Sequence, residues 1–357
     1  MWQFKLLMTQ LYSAFPQTFH TEFENLFQWA QAQEIIHIGT PGRIEERQRG
    51  TDTFFYHRFY DANGNQIEKY IGGPAGSLEG DLARKNALER ISSAEMIVKN
   101  VKDFRKLGFA IIEDKAGATL AALHNHELFS KGLTLIGSHA YGAILNKLGV
   151  MAPNYLTEDI DTVRSNPLNL AATPQMSLLE ILKTSGLPFL KTKTGLKPGD
   201  KSETYKLPGK DKLLVDLLVH GSNVGAPILV PELEAYAQSV PHLNYLVNGR
   251  LESVILSKHY AVPVYTPTPA RFAVHKLFSA TSRVNQSAKS DKDILQAATV
   301  ICAVEDKYPG DIEDALNAFP ASGRGAMRKG AERAIHIVQS HSEQHGDDLR
   351  RAIDRLN

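Results

Sequence analysis

Apolar residues alternate between helical and strand spacing along the chain, and the changes of period mark out its elements. Phe19, Phe23, Leu26, Phe27 and Trp29 recur at helical spacing in QTFHTEFENLFQWAQAQ, predicting a helix within the first 35 residues. Two β-rich stretches then flank Asp61-Ala62-Asn63-Gly64-Asn65, the signature of a hairpin turn. Gly73, Pro74 and Gly76 break the chain before a long helical run, LEGDLARKNALERISSAEMIVKNVKDFRKLG, that stops at Gly108. FAIIED reads as a strand and GATLAALHNHELFSKG as a helix. Further on, NYLVNGRLESVIL reads as a hairpin turning at Asn248-Gly249, and the proline-rich VPVYTPTPA as the path to a final set of helices. Neither a solenoid-length repeat nor a long low-complexity tract interrupts this order.

The stretch richest in chemistry is LTLIGSHAYGAILNKLGVMAPNYLTEDIDTVR, residues 133–164. An apolar strand ends in Gly137-Ser138, a helical run follows, and a second strand carries Asp159 and Asp161. Side chains at i and i+2 of a strand share a face, so these two carboxylates stand side by side. Two adjacent anions repel and raise one another's proton affinity unless a cation lies between them. Hard oxygen ligands of this kind suit Mg²⁺ or Mn²⁺. Much later, KLLVDLLVHG places a lone acid, Asp216, inside an apolar strand, a costly position unless it faces a cation or a solvated cleft. A glycine ahead of a helix start lets the backbone approach a phosphate, and Ser138 adds a hydroxyl donor. Together these features point to metal-dependent phosphoryl or nucleotidyl transfer.

Composition narrows the field. The chain has 357 residues, enough for two or three domains with substantial cores, and its net charge of +1 gives no global case for a nucleic-acid or acidic partner. Its single cysteine, Cys302, excludes an internal disulfide framework and a cysteine-rich zinc site, and it sits in a helical run as a small apolar residue. MWQFKLLMTQLYSAF lacks the layout of a secretory signal, and no stretch is apolar enough to span a membrane. A cytoplasmic location with no membrane partner is expected.

The ordered set Gly137-Ser138, Thr157-Glu158-Asp159-Ile160-Asp161 and Val215-Asp216-Leu217-Leu218 resembles the nucleotidyltransferase-fold superfamily. That group includes polymerase β-like enzymes, antibiotic nucleotidyltransferases and nucleotidyltransferase toxins. The resemblance covers about residues 133–293, and two intervals are longer than many members show: MAPNY before the first acids, and a Lys/Thr/Gly-rich hairpin before Asp216. It implies an α+β protein with a small mixed sheet at residues 109–265. An N-terminal helix and β-hairpin region would flank that core at 1–108, and a C-terminal helical region at 266–357. It further implies that Gly137 and Ser138 hold the triphosphate of an NTP. Asp159 and Asp161 would bridge two Mg²⁺ (or Mn²⁺) ions, with Asp216 on the ion that activates an acceptor hydroxyl. In TPARFAVHKLFSATSRVNQSAKSDKDIL, Lys276 and Arg283 share a helical face and are similar to a family Lys/Arg pair that faces the nucleotide. Ser290 and Asp293 stand where a family acidic pair often lies.

Each reading has a structural counterpart. Gly137-Ser138 on its own is a strand-to-helix turn with a serine cap, and Lys276 is a solvated helix cation. His139, Tyr141 and Arg164 are offered as contacts around the acids, while Glu158 faces away. The hairpin at 50–71 interleaves Phe54, Phe55, Tyr56, Phe59, Tyr60 and Tyr70 with His57, Arg58 and Lys69, suiting unpaired bases, yet cross-strand packing on a helix is the stronger reading. Gly195–Ser202 is not a phosphate loop, His124-Asn125-His126 lacks zinc-helix spacing, and Gly-Ser-His is not a nucleophile elbow. The expected activity is NMP transfer from an NTP to an acceptor hydroxyl, with RNA such as a tRNA end among the acceptors. A dormant nucleotidyltransferase fold that binds nucleic acid or protein is the second reading, and metal-dependent phosphohydrolysis a weaker third.

Overall fold

The fold was analysed in a computed structural model, which describes residues 10–153, 157–168, 176–192, 204–209, 212–282 and 287–356. The N-terminal part opens with β1 (Ser13–Ala14) and α1 (Gln17–Gln31), whose Phe23, Leu26, Phe27 and Ala30 form the buried face expected from their spacing. Three antiparallel strands follow: β2 (Arg43–Arg49), β3 (Asp52–Tyr60) and β4 (Gln66–Gly72). The predicted hairpin is β3–β4. The extra strand β2 is polar almost throughout, so hydrophobic alternation could not announce it. Helix α2 (Leu78–Lys106) is capped by Ser77, whose hydroxyl accepts from the Gly80 amide at 3.0 Å. Its first turn carries Glu79 and Asp81 and its last turn Arg105 and Lys106, so both ends match the helix dipole.

Residues 109–113 do not form the predicted strand. Ile112 makes a lone bridge to Ser257, while the Ala110 backbone is held by the buried Asn146 side chain, with bonds of 2.8 and 2.9 Å. One amide group therefore does the work of a neighbouring strand. The expected helix after it is broken in two, α3 (Asp114–Asn125) and α4 (Leu128–Lys131), by Glu127 at φ 58°.

The central sheet comprises β5 (Leu133–Ile136), β7 (Asp159–Arg164), β8 (Leu190–Lys191), β9 (Thr204–Lys206), β10 (Leu214–His220), β11 (Pro227–Val230) and β12 (Ala235–Val240). Between β5 and β7 the chain forms α5 (Gly137–Leu148) and β6 (Val150–Met151), which pairs with β1, and between β7 and β8 it forms α6 (Leu178–Lys183). The main strand order is β11-β12-β10-β7-β5. Strands β10 and β7 run parallel and β5 antiparallel to β7, giving the mixed sheet and α+β class expected. The outer edge of β10 is divided: β9 pairs with residues 214–216 and β12 with 218–220.

The predicted turn at Asn248-Gly249 does not join two strands. It closes α7 (Leu243–Val247), whose Leu243, Leu246 and Val247 follow helical spacing and pack on Ile136, Val163 and Leu218 of the sheet. The real hairpin is β13 (Leu251–Ser257) with β14 (Tyr260–Thr266). Most of the supposed proline-rich connector is thus strand. Pro263 is accommodated because a two-stranded sheet leaves alternate N–H groups unpaired. Both faces of this hairpin are buried: Val254, Leu256 and Ala261 pack with α1 and α2, while Ile255, Tyr260, Val262 and Val264 join the main core.

The C-terminal part is helical, with α8 (Pro269–Ser282), α9 (Ser287–Lys307), α10 (Asp311–Asn317), α11 (Arg324–His341) and α12 (Glu343–Arg355). Cys302 is fully buried in α9. Helices α8 and α11 meet so closely that a Cβ at Gly330 would lie 2.0 Å from the Leu277 carbonyl oxygen. Among the described residues, no helix is long and apolar enough to cross a membrane.

Candidate active site

The acids meet because of strand register. Asp216 of β10 lies directly opposite Asp161 of β7, and Asp159 is two residues from Asp161 on the same strand, so all three project from one face. On the other side of β7, Asp161 is opposite Ile136, the last residue of β5 before Gly137-Ser138. The phosphate-loop candidate and the acids therefore occupy one corner of the sheet.

Gly137 adopts φ +70°, and a Cβ there would sit 2.2 Å from Oδ2 of Asp161. Only glycine lets that carboxylate come against the turn backbone. Asp216 receives a hydrogen bond from the Thr204 hydroxyl at 2.6 Å. Its proton affinity is raised, first by burial and further by the charge of Asp159, against the opposing pull of Thr204 and Lys289. Among the described residues no set of three His, Cys, Asp or Glu side chains is drawn together as a finished metal cage. The donor set, three carboxylates projecting from one face, nevertheless has the hard anionic oxygens that suit Mg²⁺ or Mn²⁺.

Cations approach from α9. Lys292 donates to the Ser138 hydroxyl at 2.9 Å, and Lys289 is near enough to act on Asp216. Lys292 escaped sequence analysis, although Lys289 and Lys292 stand three apart on one helical face, which is the signal that marks them. Lys276 is placed differently from the phosphate contact expected of it. It is buried and donates to Oδ1 of Asp293 at 2.6 Å, a tie between α8 and α9. Arg283 lies outside the described residues, as do Gly195–Ser202. Ser290 donates to the Ala280 carbonyl at 2.6 Å and accepts from Arg333 of α11 at 2.8 Å.

The three neighbouring candidates have structural tasks in this arrangement. His139 Nδ1 donates to the Asp159 carbonyl at 3.0 Å, and burial pushes its pKa down to about 4, so it is a neutral brace on β7. Tyr141 is buried and stacks with Phe272 at 6.2 Å. Arg164 is at the far end of β7, where its Nε donates to Glu232 at 2.8 Å. Glu158 is exposed.

No curated relative matches the chain. A family model described as Nucleotidyltransferase does, over residues 114–320, a span that takes in β5, β7, β10 and the whole of α9. That match covers more than half of the sequence and all of the corner where the acids and Gly137-Ser138 meet: the chain belongs to this nucleotidyltransferase family.

Proposed function

We propose that the protein transfers an NMP from an NTP to an acceptor hydroxyl, using Mg²⁺ or Mn²⁺ held by Asp159, Asp161 and Asp216. The observation that carries this reading is the register of Asp216 on Asp161 beside the Gly137-Ser138 turn. Gly137 and Ser138 begin α5, where free backbone N–H groups and the helix dipole favour the phosphates. Ser138 and Lys292 supply the side-chain donors on the same side, and Lys289 offsets the carboxylate charge. Bound divalent ions would neutralise the phosphates and stabilise the attacking and leaving oxygens.

The test supplies each α-³²P-labelled NTP with Mg²⁺ and total RNA to wild type and to Asp161→Asn. Label on an RNA band from wild type alone, abolished by EDTA, is the expected result. Label on the protein itself keeps the chemistry and moves the acceptor from RNA to polypeptide. Absence of label with every NTP, while RNA is still bound, overturns the enzyme reading in favour of a binding module.

A further inference from the structure

Strand β9 is three residues long and covers only the stretch of the β10 edge that carries Asp216, pairing with Leu214, Val215 and Asp216. Its middle residue, Tyr205, is fully buried opposite Val215, which is buried as well. Strand side chains alternate between faces, so burial of Tyr205 turns Thr204 to the opposite face, the one from which Asp216 projects. Register then completes a row across three strands, with Thr204 opposite Asp216 and Asp216 opposite Asp161. Cross-strand neighbours have Cβ atoms about 4.5–5.5 Å apart, within reach of a direct side-chain bond.

Asp216 is held at its main chain and at its side chain. The Thr162 hydroxyl donates to its carbonyl at 3.0 Å, and the Thr204 hydroxyl donates to its Oδ1 at 2.6 Å. Thr204 is fixed in turn, because its carbonyl accepts from the Thr192 amide at 3.0 Å and from the Thr192 hydroxyl at 2.6 Å. On the side away from Asp216, Asp161 adjoins Ile136 and the Gly137 turn, where only glycine lets it come close. Each of the two facing carboxylates thus has, on its outer side, a neighbour that is not an acid.

We propose that Thr204 is a positioning residue, whose hydroxyl fixes the Asp216 carboxylate by Oδ1 and leaves Oδ2 as the oxygen for a divalent ion. This rests on the metal-dependent reading given above. A carboxylate beside a second one turns away from it, since like charges repel. A hydroxyl across the strand holds one oxygen without adding charge. A lysine in its place would neutralise the acid and repel the ion, and a valine would fill the same volume and hold nothing. Thr204 therefore orders Asp216 and keeps its charge for the cation. Groups that orient a metal ligand in this way typically govern metal affinity by about tenfold or more.

Titration of the full chain with Mn²⁺ in the absence of nucleotide, with the unbound ion read from its EPR signal, tests this by binding alone. The site is the Mn²⁺ that wild type binds and Asp216→Asn loses. Thr204→Val, which keeps the shape, should weaken that site about tenfold or more without lowering Tm. Thr204→Ser, which keeps the hydroxyl, should restore most of the affinity. A merely structural strand residue would show the reverse order, because valine suits a strand better than serine. Equal Mn²⁺ affinity of wild type and Thr204→Val overturns the proposal and leaves the metal site standing. Equal weakening by valine and serine also overturns it, by assigning the effect to packing. Mn²⁺ binding that depends on the Thr204 hydroxyl, in a protein that transfers no NMP, upholds the positioning role and removes the transfer reading alone. If wild type binds no Mn²⁺ that Asp216→Asn loses, the metal reading falls and the proposal falls with it.

Discussion

At Gly137 one missing methyl group decides whether the Asp161 carboxylate can reach the turn. Gly137→Ala should lower NMP transfer by about 100-fold or more, because a displacement on the ångström scale is enough to misalign reacting groups. It should also destabilise the fold by about 1–2 kcal/mol, the usual cost of placing a side chain at positive φ. Label transfer and thermal melts read the two effects separately. A second residue governs acid stability. His275 is buried, its Nε2 meets no partner among the described residues, and burial lowers its pKa to about 3. The folded protein keeps this ring neutral while the unfolded chain protonates it near pH 6.5, so its contribution is present above 6.5 and is lost as pH falls toward 3. Urea melts between pH 7 and 4 should show a flatter loss for His275→Leu, by up to about 1.4 kcal/mol per pH unit below 6.5. The acids themselves were readable from the sequence, because Asp-x-Asp and a lone Asp in apolar frames have few other uses. The partners of Lys276 and Lys292 were not, because they depend on packing between helices distant in sequence: α8 against α9 brings Lys276 to Asp293, and α9 against α5 brings Lys292 to Ser138.

Secondary-structure elements followed the sequence where one face is buried and diverged where partners come from afar. Helices α1 and α2 carry their own periodicity and caps. Strand β2 and helix α7 owe their form to neighbours, β3 for the first and the sheet face for the second. Helix contacts make a sharper forecast. Gly330→Ala should cost about 1–3 kcal/mol, since its Cβ would press on the Leu277 backbone and the two helices cannot separate freely. Gly325→Ala, on the same helix with open space around it, should instead be neutral or stabilising by about 0.5 kcal/mol. Chemical denaturation of the pair separates close packing from helix propensity.

For the whole molecule, the β13–β14 hairpin is a shared wall between two cores, with consecutive residues such as Val254 and Ile255 in different clusters. Its amides should be among the slowest to exchange in native-state hydrogen exchange, slower than those of β2, whose surface is mostly exposed. Fast exchange in β13 would show that the two cores open independently. The continuous apolar run of these strands belongs to a two-sided burial that an alternating-pattern reading cannot anticipate.

The first turns of α9 join that architecture to chemistry. Lys292 reaches Ser138 while Ser290 is held by Arg333 and Asp293 by Lys276. A single helix end is therefore gripped on one side by the C-terminal bundle and on the other by the Gly137-Ser138 turn. In a genetic screen, substitutions scattered over α8 and α11 would masquerade as lesions of Asp159, Asp161 and Asp216, and second-site suppressors of an α11 defect would map to the α9 terminus.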